Sequence, residues 1–87
     1  MASDPTTPAA IARRLTPRQR KALLWLPADG MWKPQEKGKG GQSMISLIYQ
    51  MIVTEKYEPT GPRGGYRGSY ALTPLGRFVR AAVEAGQ

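Results

Sequence analysis

Apolar residues recur along this chain at two spacings, and the switch between them predicts the order of its elements. In residues 43–53, "SMISLIYQMIV", Met44, Ile45, Leu47, Ile48, Met51 and Ile52 fall on one face at a 3.6-residue period. Gln42, Ser46, Tyr49, Gln50 and Val53 fall on the other, which predicts an amphipathic helix with the first set buried. Leu75, Phe78, Val79, Ala82 and Val83 repeat that period and predict a terminal helix, with Leu75 and Phe78 packing on Ile48 and Ile52. "TEKYEPT" (54–60) and "GSYALT" (68–73) predict two strands flanking "GPRGGYRG", and "MWK" (31–33) a very short one.

Thr-Pro occurs three times at the threshold of a helical pattern: Thr7-Pro8, Thr16-Pro17 and Thr73-Pro74. Threonine is a good N-cap, and proline suits the first helical position, where its missing N–H costs nothing. At Thr16, Gln19 completes the signature of a capping box, so a helix is expected from Pro17 to about Leu26, before Pro27 and the turn "ADG". Leu23, Leu24, Trp25 and Leu26 are expected to face inward, and Trp25 and Trp32 to serve the core. "TPAAIARRL" forms a helix only with a packing partner, because so short a helix is marginal alone. Residues 1–7 are expected to be disordered, and "PQEKGKGGQ", without apolar content, to be a loop.

At 87 residues the chain suffices for one small domain, read here as 8–87. Thirteen Lys and Arg against six Asp and Glu give +7, which favours polyanionic partners, nucleic acid foremost. With no Cys and no His, disulfides and Cys- or His-based catalysis are impossible and a zinc site is not expected. The six acids are scattered, so no carboxylate pair suggests acid–base work, a metal or another cofactor, and an enzyme is not expected. The N-terminus lacks the order of a signal peptide and no apolar run is long enough to span a bilayer, which favours a soluble cytoplasmic protein without a membrane partner.

Helix, tiny strand, loop, helix, strand, arginine-glycine loop, strand, helix is the order of an α+β winged helix with a reduced second helix, a two-stranded wing hairpin and a C-terminal helix. "YALTPLGR" (70–77) resembles the end of the wing in bacterial regulators of the MarR and PadR kind. "LTPRQRKALLWLPADGMW" is similar to the opening of small phage-associated winged-helix proteins. The resemblance implies a small transcriptional regulator or phage-type accessory factor that binds double-stranded DNA. It departs at "PQEKGKGG", where a second helix would stand.

The candidate contacts follow from that reading. Arg63 and Arg67 offer charge and fork geometry to phosphate from a glycine-rich wing. Arg13, Arg14 and Arg18, with Arg20 and Lys21, form the densest cationic cluster, suited to a polyanion or to a plain solvated helix face, and Lys37 and Lys39 resemble phosphate contacts. "GKGGQS" lacks the spacing of a phosphate loop. Gln42 and Gln50 suit adenine edges and Ser43 and Ser46 phosphates or bases, although the same residues also make an ordinary polar helix face. Tyr49 suits either a nucleic-acid contact or packing on the wing. A second class stays open: a protein-interaction module, such as an inhibitor or adaptor of a host protein, which the reduced second helix favours.

Overall fold

Threonine caps and prolines set the helix starts at Pro8, Pro17 and Pro74 as the sequence predicts. The computed structural model describes residues 6–36 and 41–86. These form α1 (Pro8–Arg14), α2 (Pro17–Trp25), β1 (Lys33–Pro34), α3 (Gly41–Tyr49), β2 (Val53–Pro59), β3 (Tyr66–Leu72) and α4 (Pro74–Glu84). The side chains of Thr7, Thr16 and Thr73 each accept a hydrogen bond from a first-turn N–H, and Gln19 closes the capping box on the Thr16 N–H at 2.9 Å. The fold is α+β, with four helices and one antiparallel sheet in the order β1-β3-β2 among the described residues. Most of the segment expected to be disordered, residues 1–5, lies outside the described residues; Thr7, at its edge, caps α1.

α1 forms because it has a packing partner: it lies along α4 and buries Ile11 and Ala12, followed by Leu15. From α2 come Leu23 and Leu26, from α3 Met44 and Leu47, and from the start of the hairpin Ile52 and Val53. Leu72 and Val79 close the core from β3 and α4. Ile48, Leu75 and Trp25 pack at its margin.

Several inward assignments are corrected. The central helix ends at Tyr49 rather than near residue 53. Its last turn closes as a Schellman motif: the Met51 N–H donates to the Ile48 carbonyl and the Ile52 N–H to the Leu47 carbonyl. Met51 takes the left-handed position, φ 63°, that such a cap assigns to glycine. The chain reverses there, so Met51 points to solvent while Val53, expected on the polar helix face, opens β2 at 2% exposure. In a helix of only two and a half turns, Met44 and Leu47 fill the core, and Ile45 is left 51% exposed. Leu24 and Trp32 are also exposed, and Phe78 is 66% exposed, so Leu75 without Phe78 faces the core from that part of α4. Of the expected "MWK" strand, Lys33 pairs with Tyr70 and the ladder continues to Pro34 and Ser69.

The segment "LTPLGR" is a joint between hairpin and α4. The Thr73 N–H donates to the Ile52 carbonyl at 3.0 Å, and its hydroxyl to the Met51 carbonyl at 2.6 Å. The same oxygen accepts from the Gly76 N–H at 2.9 Å. Gly76 is required for space: a Cβ there would lie far inside contact distance of the Ile52 carbonyl oxygen. This joint sets how α4 leaves the sheet and where the hairpin starts relative to α3.

Candidate nucleic-acid interface

The hairpin pairs without a bulge from Val53↔Leu72 to Pro59↔Tyr66, so alternate residues fall on opposite faces. On one face Val53 and Leu72 enter the core, and toward the tip the same face presents Tyr57, Tyr66 and Pro59 to solvent. Between them Tyr70 is half-buried, and burial first, then the charge of Glu55, holds its hydroxyl above the ordinary tyrosine pKa. It therefore stays a neutral donor. The opposite face carries Lys56, Glu58 and Arg67.

The two arginines of the hairpin, Arg63 and Arg67, differ. Beyond Pro59 the chain turns through residues 61–64, with the Gly64 N–H bonded to the Gly61 carbonyl at 3.2 Å. Arg63 sits at the apex of this turn, exposed, with no ion pair or hydrogen bond to its side chain among the described residues. Gly64 and Gly65 follow at φ 81° and 94°, values other residues rarely adopt. Arg67 instead stands across the ladder from Glu58. Lys56 contacts that carboxylate at 2.7 Å. The Lys56 hydrogen bond and charge, then the charge of Arg67, hold Glu58 below the ordinary carboxylate pKa. Arg67 thus has an acidic neighbour, and Arg63 is paired with none among the described residues.

On α3, Gln42, Ile45 and Tyr49 fall on the exposed side, and Tyr49 is 83% exposed, so it does not pack on the wing. Ser46 and Gln50 are engaged within the fold. The Gln19 amide donates to the Ser46 hydroxyl oxygen at 2.9 Å, tying the first turn of α2 to α3. The Gln50 amide donates to the same oxygen at 3.2 Å. Ser43 is half-buried on the same flank. Of the four polar residues proposed as readers, Gln42 is therefore the one whose side chain is both exposed and unengaged among the described residues.

Arg13 and Arg14, in the last turn of α1, and Arg18, in the first turn of α2, flank the Leu15–Thr16 connection and are all exposed, as is Lys21. Arg20, from the same cluster, is withdrawn: its guanidinium donates to the Ala12 carbonyl at 3.1 Å and closes the end of α1. Lys37 and Lys39 lie outside the described residues. Two further lysines sit over tryptophans, Lys33 on Trp25 and Lys56 on Trp32, each 4.5 Å from the ring centroid. Sequence reading overlooked Gln19 as an interhelix tie and Arg80 as a clamp. The capping role of Gln19 was legible, but nothing in local spacing shows that its amide reaches Ser46.

Among the described residues no cluster of three or more acidic residues could hold a metal, and no helix is long and apolar enough to cross a membrane. The site is thus a surface: a cationic hairpin tip, an uncharged exposed helix face and a basic edge. Comparison with family models, curated proteins and solved structures finds no match for this chain.

Proposed function

We propose that the chain is a winged-helix module that binds double-stranded DNA, with α3 in the major groove and the β2–β3 hairpin as its wing. The observation that carries this reading is Arg63, exposed and unpaired among the described residues, at the tip of a hairpin that springs directly from the end of α3. The sheet order β1-β3-β2 behind a helix-strand-helix sequence supports it. Among the described residues no helix stands between β1 and α3. The role this fits is that of a small transcriptional regulator or phage-type accessory factor.

Phosphate contacts from Arg13, Arg14, Arg18, Arg63 and Arg67 would give a slope of log K against log salt of about −4 to −5. Fluorescence anisotropy on a mixed-sequence duplex over a salt series tests this, and affinity independent of salt would overturn it.

A specific observation favours a second reading as a protein-interaction module. Phe78 stands exposed beside a shallow groove lined by Ala28, Pro74, Arg77 and Ala81. Capture of one host protein in a salt-tolerant complex, lost in Phe78→Ala, would put that reading first.

A further inference from the structure

We infer that α3 selects A·T base pairs through the major groove, with Gln42 and Ile45 as the residues that specify them. The inference rests on the DNA-binding reading above and names the sequence class that it recognises.

The reasoning starts from what α3 lacks. From Gly41 to Val53 the chain contains no Lys, Arg, Asp or Glu. The commonest specific contact to guanine, a cationic side chain on O6 and N7, is therefore unavailable from this helix, and so is an acidic acceptor for the cytosine amino group. What α3 offers is different. Gln42 and Ile45 are one turn apart on the same exposed face, followed by Tyr49 a further turn along. A glutamine amide matches adenine N6 and N7 with one donor and one acceptor, and a branched apolar side chain packs against the thymine methyl. Of the competing polar side chains, Gln50 donates to the Ser46 hydroxyl oxygen, which also accepts from Gln19, and Ser43 is half-buried. Burial also leaves Ile45 without a core role, since Met44 and Leu47 fill that position from either side of it. Tyr49, largely exposed and carrying a hydroxyl, suits a backbone phosphate rather than a base edge.

The wing could also favour A·T sequence, because arginines enter the narrow minor groove of A-tracts. Inosine separates the two sources. An I·C pair lacks the minor-groove amino group of G·C and so looks like A·T there, while its major-groove edge keeps the acceptors of guanine.

The test measures binding of the full chain to four short duplexes of equal length: A·T, G·C, I·C, and A·T with deoxyuridine for thymidine. The A·T duplex should bind about tenfold or more tightly than G·C. I·C should bind like G·C, and deoxyuridine should cost about threefold to fourfold for each lost methyl contact. Ile45→Ala should abolish the thymidine–deoxyuridine difference, and Gln42→Ala should reduce the A·T preference. Neither should change the salt slope or, being exposed, the melting temperature. Equal affinity for A·T and G·C with a steep salt slope would overturn the inference and leave DNA binding intact. I·C binding like A·T would move the selection to the wing and equally overturn it. Salt-dependent binding to none of the four would remove the DNA-binding reading itself.

Discussion

Arg80 and Arg63 carry the same charge into opposite circumstances. Arg80, on α4, donates from one nitrogen to the carbonyls of Leu23 at 3.1 Å, Leu24 at 3.0 Å and Leu26, and its Nε pairs with Glu84 at 2.8 Å. It closes the C-terminal end of α2, where orphaned carbonyls need donors. Arg20 does the same for α1. Among the described residues nothing pairs with the Arg63 side chain. The helical end uses arginine as a structural clamp, whereas the hairpin tip leaves it exposed, so the net charge of +7 overstates the charge open to a polyanionic partner.

The sharpest way to break this contrast is at the joint holding the two regions together. Gly76→Ala forces a methyl group against the Ile52 carbonyl and should cost about 3 kcal/mol, read by denaturant unfolding. Arg80→Met keeps much of the side-chain volume but removes the donors from the end of α2. It should cost about 2 kcal/mol of stability, while the folded fraction retains the wild-type salt slope for DNA. Arg63→Ala should behave in reverse, with stability within about 0.5 kcal/mol of wild type and a salt slope flatter by about 0.9. A fall in stability instead of slope would show that Arg63 also serves the fold.

A smaller effect tests the hinge between helix and hairpin. Met51 holds a left-handed conformation that glycine adopts without strain, so Met51→Gly should stabilise by about 0.5–1 kcal/mol with binding unchanged. The smallest concerns Glu58, whose lowered pKa reflects Lys56 and then Arg67. The stabilisation from that pairing is complete above the ordinary carboxylate pKa and lost as pH falls through the lowered value. Protonation there, or Glu58→Gln at neutral pH, should free Arg67 and modestly raise duplex affinity. An unchanged affinity in Glu58→Gln would show that Arg67 is not restrained by this carboxylate.

Helix starts were legible because Thr-Pro fixes them through local chemistry, and Thr7, Thr16 and Thr73 all cap as expected. The hairpin was legible from its glycines, though β3 begins two residues earlier than its apolar content indicates. What failed were the edges of apolar faces. Ile45, Met51, Leu24 and Phe78 fit a helical stripe in sequence, but a short helix in a small core covers only the centre of its stripe. The end of α3 was illegible for another reason: the Schellman cap uses methionine where glycine would have announced it. Arg63 and Arg67 were placed on the wing by sequence, but the difference between them depends on cross-strand register, which brings Glu58 opposite Arg67. That Ser46 and Gln50 are engaged within the fold was illegible, because Gln19, 27 positions before Ser46, reaches it only in the fold.

The central claim is that the hairpin tip grips a phosphate backbone. It is tested most directly by the salt dependence of duplex binding for the wild-type chain and for the double variant Arg63→Ala/Arg67→Ala, with melting temperatures measured on both. The account predicts that the double variant melts as the wild type does and flattens the slope by between about one and two units, Arg63 supplying the larger part. An unaltered slope at wild-type affinity, or no duplex binding by the wild type at low salt, would contradict it.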